Sequence, residues 1–184
     1  MTEISLNILD IAQNSVKAQA TLIQISVIID TKSDKMIVII DDNGCGMTKE
    51  QLENVEDPFY TTRTTRKVGL GVPFFKYAAL STGGDFSIQS ETLAGTSVKA
   101  VFGYSHIDRM PLGDINSTIH TLIHFNSNID FLYMYRYDDQ EFVLDTRVIR
   151  EMLSGVPIDT PEVSDYIRDY LKENKEEVDK NQVI

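Results

Sequence analysis

Apolar side chains in the first twenty residues fall at helical spacing: Ile4, Leu6, Ile8, Leu9, Ile11, Ala12, Val16 and Ala20 predict a helix from about Glu3 to Lys17. The period then changes. Residues 21–30 alternate and are rich in isoleucine and valine, residues 35–41 repeat the pattern, and polar residues 31–34 separate them, which predicts two adjacent antiparallel strands. Thr48 can cap a short helix through Asn54, and residues 55–67 lack a clear period, the mark of a mobile loop. Gly69-Leu70-Gly71-Val72 opens another helix running to about Ser81, with Pro73 tolerated in its first turn and Gly83-Gly84 ending it. Residues 86–91 and 96–102 follow as a strand pair around a turn at 92–95. This order predicts an α+β two-layer sandwich, with a mixed, mainly antiparallel sheet and helices on one face.

The remaining residues have their own pattern. Residues 112–125 read as a helix with Ile115, Ile119, Leu122 and Ile123 inward, and residues 129–137 and 141–144 as a hairpin around Asp138-Asp139-Gln140. Asp145 or Thr146 caps a helix through Leu153, and a last helix from about Pro161 carries Val163, Ile167, Tyr170 and Leu171 on one face. Phe131, Tyr133, Tyr135 and Tyr137 alternate as a packed sheet face would. About eighty residues are few for an independent core. The expected division is therefore a domain at 1–104 and a small α+β extension at 105–184 that packs on it and serves partner binding or homodimerisation.

Charge narrows the function. A net charge of -11 and a pI near 4.6 argue against a broad electrostatic hold on nucleic acid or on an acidic membrane surface. The one basic cluster, Arg63, Arg66 and Lys67, is local and suggests a specific anion. A single cysteine, Cys45, excludes an internal disulfide framework, no apolar stretch is long enough to span a bilayer, and the first residues carry no signal-peptide pattern. A soluble cytoplasmic protein is expected.

Candidate chemistry gathers at a few points. Asp42-Asn43-Gly44-Cys45-Gly46-Met47 ends an apolar strand with an acid and two glycines, which turn the chain sharply and let a flat or anionic ligand approach the backbone. On the first helix, Asp10 and Asn14 share a face at i and i+4, and Lys17 lies near it. The segment at 69–72 and the pair Gly95-Thr96 supply the remaining signals. His120 and His124 have metal-ligand spacing, but no second cluster accompanies them, and exposed helix positions are expected.

Together these residues resemble the ATP-binding (Bergerat) fold of the GHKL superfamily, shared by DNA gyrase, MutL proteins, heat-shock chaperones, sensor histidine kinases and anti-sigma-factor serine kinases. The resemblance covers roughly residues 3 to 104. Residues 10–18 are similar to the family's N box, which implies that Asn14 ligates magnesium, a hard cation that takes oxygen ligands while bridging phosphates. Residues 42–46 match the first glycine box, implying that Asp42 accepts a hydrogen bond from the adenine amino group. Residues 57–63, with Thr61, Thr62 and Arg63, resemble the aromatic F box of histidine kinases. Gly69, Leu70, Gly71 and Val72 resemble their second glycine box, where backbone N–H groups at a helix start hold phosphate. Gly95-Thr96 matches the third box, whose threonine supports adenine from the side. Lys17, Gly44, Gly46, Met47, Arg66 and Lys67 complete the implied ATP-binding set.

Each match alone has a plainer reading as a solvated helix face, a turn, or loop charge. Their joint occurrence, in order and on the right elements, favours ATP binding. Asp10 stands where relatives carry a glutamate that acts as general base or lies near an acceptor hydroxyl, and one methylene less leaves two roles open: base, or holder of a magnesium-bound water. The resemblance further implies a stand-alone protein, since no dimerising hairpin with a phospho-accepting histidine precedes the domain, and His106 reads as part of a linker. Three functions follow: a histidine-kinase-like or anti-sigma-like kinase acting on a protein partner in signal transduction, a slow ATPase whose residues 55–68 close over ATP, or an ATP-sensing module without hydrolysis.

Overall fold

The computed structural model describes residues 3–57, 71–180 and 182. The first helix, α1 (Ile4–Lys17), buries Ile4, Ile8, Ile11 and Ala12 and leads into β1 (Leu22–Asp30) and β2 (Lys35–Asp42), which pair antiparallel from Ile23 opposite Asp42 to Asp30 opposite Lys35. A capping box at Thr48, closed by Gln51, starts α2 (Lys49–Asn54). Next come α3 (Gly71–Leu80), β3 (Asp85–Glu91) and β4 (Gly95–Gly103). The rest comprises α4 (Ile115–Phe125), β5 (Asp130–Tyr137), β6 (Gln140–Asp145), α5 (Thr146–Leu153) and α6 (Pro161–Asp179).

The six strands among the described residues form one mixed sheet in the order β3-β4-β2-β1-β5-β6. Among these strands only β1 and β5 run parallel, and the strands from the second part of the chain extend the sheet that the first part begins. Alternate residues of every central strand are buried on the side that packs the helices, from Ile25 and Val27 through Val38 and Ile40 to Tyr133 and Tyr135. The other face is half-exposed, which explains the strict alternation along β1 and β2. The predicted α+β sandwich is the observed one.

The largest boundary difference from the sequence reading is at α4, while strand and helix ends elsewhere shift by a residue or so. The helix expected from residue 112 begins at Ile115, because the carbonyls of Pro111 and Leu112 accept hydrogen bonds from the Ile4 and Ser5 N–H groups at the start of α1. Those carbonyls supply the caps that the first turn of α1 cannot make for itself. Gly113 then turns at φ +76, and the Asp114 side chain caps α4 by accepting from Ser117 N–H. The helix that carries Asp10 and Asn14 is thus anchored at its start by the chain beyond residue 104.

Candidate functional site

Strand register builds one end of the site. Asp42 on β2 lies opposite Thr96 on β4, and Thr96 lies opposite Ser90 on β3. All three share the parity of Ile40, Val98 and Ile88, so they form a polar row on the helix side where the apolar rows stop.

The Asp42 carboxylate is held twice. The Ser15 hydroxyl donates to Oδ2 at 2.6 Å and the Gly44 N–H donates to Oδ1 at 2.8 Å. Ser15 is buried on α1, next to Asn14 in sequence, so this bond ties the helix to the strand end. Each carboxylate oxygen keeps lone-pair capacity for a further donor.

The turn after Asp42 is tied on both sides. The Asn43 side chain accepts from the Thr21 and Leu22 N–H groups at 2.8 and 2.9 Å and donates to the Thr21 hydroxyl at 2.8 Å. Cys45 N–H donates to the Ala18 carbonyl at 2.9 Å, the Cys45 carbonyl accepts from Leu93 N–H at 2.8 Å, and Met47 N–H donates to the Ser90 hydroxyl at 2.9 Å. Gly46 and Gly95 sit at φ +65 and +96, and a Cβ on either would overlap a backbone carbonyl, that of Glu91 or of Asp42. At Gly44 a Cβ would press on Ala18 at 2.8 Å. The space these glycines leave is filled by neighbouring chain, so their first physical role is to let the turn close against α1 and the β3–β4 hairpin.

The other end is a helix face. Asp10, Asn14 and Lys17 are exposed along α1 while Ile8, Ile11, Ala12 and Ser15 point inward. Gly71, the first residue of α3, packs on the acid, since a Cβ there would lie 3.5 Å from Asp10 Cβ and 3.7 Å from its Oδ2. The Val72 side chain is buried in the core, leaving the backbone N–H groups of the first α3 turn as what this pair can offer a ligand. Thr61, Thr62, Arg63, Arg66, Lys67, Gly69 and Leu70 lie outside the described residues, as does the loop expected at 55–67 beyond Asp57.

His120 and His124 are half-buried under α6 rather than fully exposed. His120 Nε2 lies 2.8 Å from the Ser164 hydroxyl and 3.1 Å from its carbonyl, and that hydroxyl lies 3.3 Å from His124 Nδ1. Burial, then the Arg168 guanidinium, push the His120 pKa below its ordinary value. Among the described residues, no group of three or more His, Cys, Asp or Glu could hold a metal ion, and no helix is long and apolar enough to cross a membrane. His106 sits in the turn after β4 and accepts from Asp108 N–H at 3.2 Å, as a linker residue would.

Sequence reasoning missed Ser15, Asn43 and Ser90. The signal for Ser15 was a hydroxyl inside the apolar stripe Ile4, Ile8, Ile11, where a buried polar group needs a partner.

Residues 2–105 match the family described as histidine kinase-, DNA gyrase B-, and HSP90-like ATPase. A putative sensor protein of Shewanella frigidimarina (strain NCIMB 400) is 30% identical over 109 residues, covering 58% of this chain and 16% of that protein. Sporulation kinase D of Bacillus subtilis (strain 168) is 31% identical over 91 residues, covering 50% of this chain and 18% of that one. The chain thus matches less than a fifth of the length of either relative. Among solved structures, the Aquifex aeolicus MutL ATPase domain complexed with ADP superposes with a TM-score of 0.54 at 12% identity, covering 100% of both chains. The N-terminal domain of a DNA repair protein also gives 0.54, at 15% identity, over 79% of this chain and 53% of that one. At these identities the structural likeness is one of fold.

Proposed function

The chain belongs to the histidine kinase-, DNA gyrase B- and HSP90-like ATPases, and on that premise we propose that it binds ATP with magnesium and acts as a kinase or regulatory ATPase on a protein partner. One observation carries the reading. The doubly held Asp42 carboxylate stands beside Thr96, and its Ser15 partner belongs to the same helix as Asp10 and Asn14.

The residues fit the ligand. Asp42 is oriented as an acceptor for an exocyclic amino group, and Thr96 adds a hydroxyl at its side. Asn14 offers an amide oxygen, a neutral hard donor suited to magnesium. Lys17, the first-turn N–H groups at Gly71 and Val72, and the cationic and glycine residues at 61–70 suit the phosphates. The ADP in the MutL domain of the same fold supports a nucleotide here.

When bound, magnesium ATP supplies an electrophilic phosphoryl group whose charge the metal helps neutralise. Asp10, packed against Gly71 at the start of α3, takes the proton from an attacking water or partner hydroxyl, or orients a water. Similarity to a sporulation kinase and a sensor protein favours a protein partner and a role in cytoplasmic signal transduction.

Incubation with magnesium and γ-labelled ATP tests the reaction. Label on a co-purified protein supports the kinase, released phosphate supports the ATPase, and binding with neither supports an ATP sensor. If calorimetry detects no ATP binding by the unaltered chain, the assignment fails.

A further inference from the structure

The hydroxyl of Ser90 makes three contacts at the rim of the site. It accepts from Met47 N–H at 2.9 Å, donates to the Gly95 carbonyl at 2.8 Å, and lies 2.9 Å from the Thr96 hydroxyl. A serine hydroxyl has one hydrogen and two lone pairs. With Met47 on one lone pair and the hydrogen on the Gly95 carbonyl, the second lone pair is left for the Thr96 hydrogen. All three bonds then form at once. If Ser90 donated to Thr96 instead, the Gly95 carbonyl would lose this donor and a Ser90 lone pair would stay unused, so only two would form.

From this count we infer that Ser90 is a positioning residue that fixes the hydrogen-bond polarity of Thr96. The Thr96 hydrogen is drawn back toward β3, and its remaining lone pairs serve as acceptors. Asp42, directly across in the strand register, is an acceptor as well. Two acceptors side by side suit an amino group, which has two N–H donors, and oppose a carbonyl oxygen at the same position. Ser90 therefore contributes to base selection without touching the base. The inference rests on the adenine reading above.

ATP and inosine triphosphate separate the two claims, because the second nucleotide replaces the 6-amino group by a carbonyl. Their affinities are measured by calorimetry on the unaltered chain and on Ser90→Ala, Ser90→Thr and Asp42→Asn, with thermal unfolding to confirm that each variant is folded. In Ser90→Ala the Thr96 hydroxyl is free to rotate and donate to the carbonyl, so the preference for ATP narrows about fivefold to tenfold. Ser90→Thr keeps the hydroxyl and the preference. A serine that merely braced the hairpin would weaken both nucleotides alike and leave their ratio unchanged. An unaltered ratio in Ser90→Ala, while Asp42→Asn reduces it, overturns the Ser90 role and leaves the adenine reading standing. A ratio lost equally in Ser90→Thr also overturns it. An unaltered chain with no preference for ATP overturns both.

Discussion

The two ends of the site are built on different principles. Around Asp42 the turn is tied to the end of α1 by Ser15 and Cys45, to the start of β1 by Asn43, and to the β3–β4 hairpin by Cys45, Met47 and Gly46. At Asp10 and Asn14 the candidate groups stand exposed on a helix whose opposite stripe is packed in the core. The first end is preorganised, so under the proposed ATP reading little ordering remains to be done for a base. The second is not tied down in this way, so under the same reading its ordering falls to the ligand. Substitutions at the first end should therefore cost stability and recognition together, and those at the second only recognition.

Gly95→Ala puts that contrast under most strain. A Cβ there meets the Asp42 carbonyl at positive φ, and a loss of about 3 kcal/mol or more is expected by thermal or denaturant unfolding, whereas Asn14→Ala should stay within about 0.5 kcal/mol. Equal stability of the two variants would end the comparison. Asp42→Asn comes next, with ATP affinity falling about tenfold to a hundredfold while the gain from added magnesium persists. Asn14→Ala should do the reverse, losing the magnesium gain, about tenfold, with affinity in its absence little changed. Calorimetry with and without magnesium reads both. Ser15→Ala removes a buried donor to a carboxylate, and both stability and ATP affinity should drop, by about 1 to 2 kcal/mol and about fivefold.

The smallest effect lies away from the site. Because His120 has its pKa lowered by burial and by Arg168, the folded chain resists its protonation while the unfolded chain does not. Stability should be full above the ordinary value of 6.5 and decline as pH falls below it. Unfolding curves from pH 8 to 5 check this, and His120→Gln should flatten the decline.

Local pattern carried much of the fold. The period of α1, the capping residues Thr48 and Asp145 and the hairpin around Asp138 are written in neighbouring residues, and the structure follows them closely. Asp10, Asn14 and Asp42 stand out as candidates because their spacing matches a family pattern. The parallel pairing of β1 with β5 could not, since it joins segments more than a hundred residues apart whose alternation would suit many partners. Ser90 went unseen for a related reason. Its parity with Phe86 and Ile88 places it on the inner face, yet its partner Thr96 follows only from the hairpin register.

The position of β1 in the sheet has a practical consequence. Residues 2–105 match the family, and that span suggests itself as a minimal fragment. Ending the chain there would remove β5 and bare eight residues of β1, an isoleucine- and valine-rich edge of unpaired N–H and C=O groups. It would also take away the two carbonyls that cap α1. Such a fragment is a template for strand addition by its own copies, and its clumping in a test tube would say nothing about assembly of the whole chain.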